Sequence, residues 1–169
     1  MTKPKSASPP ISFLMRHPAH VIACGFGSGL APFAAGTFGT LFAWASYPLL
    51  RDFYPGDLEF AVFAVLCFIM GVGACQVTGR NLGVIDHGSI VWDEIVPFWL
   101  VLLLTPSGWL WQLAAFFWFR FYDIVKPAPA SYFDAHVKNG FGVMMDDLVA
   151  AAYTVLTLAI FKALLERFL

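Results

Sequence analysis

"VIDHGSIVWDEIVPFWL" runs from Val84 to Leu100. It sets Asp86, His87, Asp93 and Glu94 at the mouth of an apolar run that continues through "VLLL" before "TPSG" breaks it. A charged side chain at the centre of a lipid-embedded helix costs roughly 2.5–3.5 kcal/mol on insertion scales. Acids in the first turns of such a helix must therefore lie at a membrane edge or in a cavity between helices. Composition decides that the surroundings are lipid. Hydrophobic residues make up 59% of the 169 and charged residues 12%, against about 25% charged in soluble domains. Mean hydropathy is +0.72. The expected fold is all-α, an integral membrane bundle with about five membrane-embedded helices.

A crossing helix needs about 20 apolar residues. Runs near 33–50, 60–77, 108–125 and 148–165 qualify, and the run from about Ile90 makes the fifth, with Pro97 inside it. Residues 1–20 read as a flexible cytoplasmic arm with no signal peptide, and 21–169 as a single helical membrane domain. Alternating connections put Lys3, Lys5, Arg16, Arg80, Arg120, Lys126 and Lys138 on one face and Arg51, Lys162 and Arg167 on the other. The basic excess marks the first face as cytoplasmic. Asp86, Asp93, Glu94, Asp123, Asp134, Asp146 and Asp147 fall on that same face, as an active site at the cytoplasmic interface would require. Trp92, Trp99, Trp109, Trp111 and Trp118 are expected to anchor at span ends or bundle surfaces. Cys24, Cys67 and Cys75 read as small buried hydrophobes rather than a disulfide framework. A formal net charge of -1 leaves no nucleic-acid footprint, and no protein partner is implied.

Asp93-Glu94 and Asp146-Asp147 are acidic doublets, each at the expected start of an apolar helix. Helix macrodipoles explain single N-terminal acids. They explain doublets on two helices poorly, because converging carboxylates repel. A hard divalent cation such as Mg²⁺, which takes oxygen ligands and substrate phosphate, removes that repulsion. "FRFYDIVKP" places Arg120 and Asp123 one turn apart, with Lys126 at the helix end before Pro127. Two readings stay open here: a structural ion pair, or a guanidinium and an ammonium aimed at phosphate oxygens. "GFGSGLAPFAAGTFGT", Gly25–Thr40, offers backbone amides and the hydroxyls of Ser28, Thr37 and Thr40. It suits anion binding and close helix packing equally well. His87 is a candidate general base beside Asp86.

No Cys-x5-Arg, Asp-x-Asp-x-Thr or Ser-Arg-x5-His run is present, which excludes three phosphatase chemistries. Three blocks together, "GFGSGLAPFAAGTFGTL", "DHGSIVWDEIV" and "FRFYDIVKPAPASYFD…NGFGVMMDD", resemble the phosphatidylglycerophosphatase A family. Ala35 stands where that family often has Pro, and Pro97 where it usually has Gly. The resemblance implies a Mg²⁺-dependent bacterial lipid phosphatase in a multi-pass cytoplasmic (inner) membrane protein, its active site facing the cytoplasm. It would hydrolyse phosphatidylglycerophosphate to phosphatidylglycerol and phosphate, with membrane lipids as its surroundings. Asp86, Asp93, Glu94, Asp146 and Asp147 would then hold metal. Arg120, Lys126, Ser28 and Thr37 would bind phosphate, and Asp86, His87, Asp123 and Arg120 would serve catalysis. The alternative is a small cation transporter or channel, which predicts acids along the depth of several spans.

Overall fold

The computed structural model describes residues 7–168, all helix and connection with no strand among them. Seven α-helices follow in order: α1 (Pro18–Ala23), α2 (Ala35–Phe53), α3 (Asp57–Leu82), α4 (Trp92–Leu104), α5 (Trp109–Val125), α6 (Ala130–His136) and α7 (Gly140–Phe168). Of the arm expected to be flexible over 1–20, residues 1–6 lie outside the described residues. Ile11–Arg16 form a 3-10 turn and Pro18 begins α1, with Phe13, Leu14 and His20 buried.

The long helices alternate in direction. α2 and α4 run side by side the same way, Gly39 abutting Val91 and Ala43 meeting Trp99. α3 opposes α4, with Cys67 at Trp92 and Phe63 at Trp99. α5 opposes it too, with Phe116 against Phe98 and Arg120 at Glu94. α7 opposes α3, since Gly140 N donates to Gln76 Oε1 and Met144 packs on Gly71. The starts of α2, α4 and α7 and the ends of α3 and α5 therefore meet at one end of the bundle.

α4 is its axis. Every residue from Ser89 to Trp99 is buried, and α4 touches α2, α3, α5 and α7. It stays one helix across Pro97. Its 13 residues rise only about 20 Å, short of the about 30 Å hydrocarbon core. α5, at 17 residues, is also short. Two helices, α3 and α7, are long and apolar enough to cross a membrane, and only 33% and 22% of their most apolar windows are buried inside the protein. The core of a soluble domain would bury most of such a helix; these present theirs outward.

Burial of α4 corrects the expectation for two tryptophans. Trp92 and Trp99 do not anchor at an interface; both are 3% exposed. Trp92 donates to the Cys67 carbonyl, and Trp99 to the Ala43 carbonyl and Ser46 Oγ. Each indole N–H thus finds an acceptor on a neighbouring helix, as a buried one must. Trp109 and Trp118 remain exposed. Cys24, Cys67 and Cys75 are free thiols, all buried.

Candidate active site

The end where the helices meet carries the charge. α4 brings Asp93 and Glu94 in its first turn, where the macrodipole favours them. α7 starts at Gly140, earlier than the apolar run suggests, so Asp146 and Asp147 sit beyond its first turn. The macrodipole acts only within that turn, so it does not account for the second doublet.

Arg120, near the end of α5, pairs with Glu94 Oε2 and lies 2.8 Å from Asp123 Oδ2. Thr40 of α2 lies 2.9 Å from Glu94 Oε2 and 2.9 Å from the Gly36 carbonyl. Gly36 allows a close approach to the carboxylate: a Cβ there would lie 1.8 Å from Glu94 Oε1, so the carboxylate would have to move. Lys126 caps α5 in the left-handed region at φ 48, an unusual conformation for a residue with a side chain. Its ammonium pairs with Asp146 Oδ2 and lies 3.4 Å from Asp134 Oδ1. Burial works against that charge, but Asp146, Asp147 and Asp134 overrule it and hold the ammonium above its ordinary range. The other non-glycine residues with positive φ among those described, Phe26 and Ala34, lie within the glycine-rich segment at this same end. Such strain persists where surrounding contacts over-determine it, often at functional sites.

Five carboxylates, Asp93, Glu94, Asp123, Asp146 and Asp147, thus share one buried region with two cations, leaving three formal negative charges unbalanced. The Asp147 carboxyl lies against that of Asp123. Two buried side-chain atoms among the described residues have no hydrogen-bond partner: Arg120 Nε and Asp147 Oδ1. One is a cationic donor, the other a carboxyl oxygen. Leaving either unsatisfied in an interior is costly. The pair is complementary to an anion together with a cation. No group of three or more His, Cys, Asp or Glu among the described residues is arranged to hold a metal ion as it stands. The donor chemistry nonetheless fits a hard cation, because an orphaned carboxylate oxygen and a carboxyl–carboxyl contact both call for positive charge.

The remaining sequence candidates sit around this cluster. Asp86, half-buried in the loop before α4, shares a narrow cleft with Asp146. His87 is buried and its Nδ1 accepts from Ser89 N, so it braces its own loop; burial lowers its affinity for a proton. Ser28 Oγ donates to the Gly25 carbonyl. Thr37 is half-buried in the first turn of α2. The glycine-rich segment mostly packs: a Cβ on Gly25 would strike Ile95 and Val91, and one on Gly39 would strike Val91. Sequence reasoning noted the Thr40 hydroxyl but gave neither Thr40 nor Gly36 a part beside Glu94. The available signal was the Gly36, Gly39, Thr40 spacing, which lines one helix face.

The phosphatidylglycerophosphatase A family matches residues 21–162. A phosphatidylglycerophosphatase A of Haemophilus influenzae is 49% identical over 141 residues, 83% of this chain and 86% of that protein. The phosphatidylglycerophosphatase A of Escherichia coli is 43% identical over 137 residues, covering 80% and 78%. A putative phosphatidylinositol-3-phosphatase of Bacteroides thetaiotaomicron is 38% identical over 146 residues, covering 83% and 91%. No solved structure matches the chain.

Proposed function

The chain belongs to the phosphatidylglycerophosphatase A family and is a phosphatase acting on a phosphate monoester; from that premise we propose that it hydrolyses phosphatidylglycerophosphate to phosphatidylglycerol and phosphate, with Mg²⁺, at the cytoplasmic face of a bacterial inner membrane. The observation that carries this is the pair of orphaned atoms, Arg120 Nε and Asp147 Oδ1, in one buried cluster.

Glu94 and Asp123 hold the guanidinium of Arg120 in place through Nη1, which leaves Nε for a phosphoryl oxygen. Lys126, steadied by Asp146 and Asp134, supplies a second positive charge. Charge fixed in advance around a transferring phosphoryl group is the main catalytic device in such chemistry. Asp147, with its orphaned oxygen, and Asp93 beside it would be the first acids to hold Mg²⁺, with Asp146 and Asp86 at the adjoining cleft; Glu94 is engaged by Arg120 and Thr40, and Asp146 would share its carboxylate with Lys126. Bound there, the ion supplies Lewis acidity and a water of lowered pKa. Asp123, inside the cluster, is our candidate to accept the proton of the attacking water at a carboxylate oxygen, while His87 braces the loop before α4.

The membrane reading draws on α3 and α7 and on exposed Leu58, Val62, Leu66, Ile69, Leu156 and Ile160 along them. α2, α4 and α5 complete five embedded helices in this proposal, α4 and α5 reaching only part of the depth. The positive-inside rule supports a cytoplasmic position for the acid end in this proposal. The acids gather at one end rather than along the bundle's depth, which favours an interfacial enzyme over a cation path.

The test is phosphate release by the purified chain in mixed micelles. The panel is phosphatidylglycerophosphate, phosphatidic acid and phosphatidylinositol 3-phosphate, each with Mg²⁺ or with excess chelator. Release should be fastest from the first and should stop in chelator. Unchanged turnover in chelator would remove the metal from the proposal. Preference for the inositol lipid would move the substrate toward the activity named for the Bacteroides relative.

A further inference from the structure

A cavity of about 680 Å³ opens beside the acid cluster, between the segment leading into α2 and the loop before α4. Phe33, Ala34 and Ala35 line one side, Ile85 and Asp86 another, and Lys138 stands at its wall. Ile85, Asp86 and Lys138 also line the narrow cleft that reaches Asp146. The cavity and the cluster are therefore neighbours through shared residues. Its size suits a small-molecule headgroup.

Lys126 and Lys138 differ in what they hold. Lys126 is bound by two carboxylates. Lys138 donates to the Asp134 carbonyl and, among the described residues, has no carboxylate partner. An ammonium has three donors, so two of them and a whole unit of charge remain for an anion. We propose that Lys138 and this cavity hold the phosphodiester of the substrate, so that the chain reads a second phosphate one glycerol away from the one it cleaves. This rests on the reading above. Phosphatidylglycerophosphate carries a monoester for Arg120 and Lys126 and a singly charged diester for Lys138. The apolar walls suit the diester's glycerol and the first carbons of the acyl chains. Lys138 is thus a specificity residue: it separates lipids with a diester between monoester and diacylglycerol from phosphatidic acid, which has none.

The experiment compares the wild type with Lys138→Gln on phosphatidylglycerophosphate and on phosphatidic acid in the same micelles. Phosphatidylglycerol, which keeps only the diester, serves as a competitive inhibitor. Loss of a charge-assisted contact should raise KM for phosphatidylglycerophosphate and Ki for phosphatidylglycerol by about tenfold or more, with kcat little changed. kcat/KM for phosphatidic acid should stay within about twofold. Equal losses on both substrates, or an unchanged Ki, would overturn the assignment. A wild type that releases no phosphate from phosphatidylglycerophosphate would instead overturn the parent reading, and is seen before any variant is made.

Discussion

The two ends of the bundle use the same kinds of residue to different effect. At the far end Arg51 lies 2.8 Å from Asp57, whose side chain is 80% exposed. Lys162 faces Glu166 at 3.7 Å, both exposed. At the near end Arg120 lies 2.8 Å from Asp123, but these side chains are only 16% and 12% exposed. Water screens the first kind of pair, which contributes about 0–1 kcal/mol. The second kind is stripped of water, and removing one partner costs about 3–5 kcal/mol. An ion pair's length says little about its worth; its surroundings say most. Stability alone gives little reason to bury a charge excess, so the near end is where function is to be sought.

Arg120 offers the largest contrast. Arg120→Ala should destabilise the protein by about 3–5 kcal/mol, read as thermal unfolding in detergent, because Glu94 and Asp123 lose their cation. Arg120→Lys keeps the charge but not the planar fork. It should lower kcat/KM by about 10²-fold or more, or about 2.7 kcal/mol of transition-state stabilisation. Near-normal turnover in Arg120→Lys would reduce Arg120 to a structural partner and break the comparison.

Asp147→Asn separates charge from packing. It relieves the contact with Asp123, so unfolding in chelator should occur no lower than in wild type. Phosphate release should fall by at least about tenfold. Wild type should also gain thermal stability with added Mg²⁺ by mass action, and the variant should lose that gain. Equal Mg²⁺ stabilisation of both proteins would take Asp147 out of the ligand set.

Gly36→Ala and Gly73→Ala test close approach against plain helix propensity. The first places a methyl against Glu94 Oε1, while the second meets nothing within 4 Å. Gly36→Ala should cost about tenfold or more in kcat/KM by displacing the carboxylate that holds Arg120. Gly73→Ala should leave activity alone and gain up to about 1 kcal/mol. The smallest effect belongs to Arg51→Ala, at most about 1 kcal/mol in stability and none in turnover. A large loss there would mean that the two ends are energetically alike.

These contrasts follow what the sequence could and could not say. α3 and α7 were legible because long apolar runs leave a helix few alternatives. Arg120, Asp123 and Lys126 were legible as a group because helical spacing sets them near one another along α5. The start of α7 was not, since the glycines Gly140 and Gly142 and the Asp146-Asp147 pair read as a turn, and the stretch is held as helix by packing on α3 and α6. The burial of Trp92 and Trp99 was hidden because a short apolar helix at the centre of a bundle reads like one facing lipid. The meeting of Thr40 and Glu94 across 54 positions is a tertiary event, which no local spacing encodes.

The three buried thiols have a practical meaning. Burial pushes the Cys24 thiol up to about 11, so almost none of it is thiolate at neutral pH, and Cys67 and Cys75 are likewise shielded. A water-soluble maleimide should leave the native chain unmarked, and single cysteines can be read against that blank background. Ala135→Cys, beside the acid end, should be modified by an impermeant reagent only in inverted vesicles, and Asp52→Cys, at the other, only in intact cells. The opposite pattern would turn the molecule over in its bilayer and put phosphate release outside the cell.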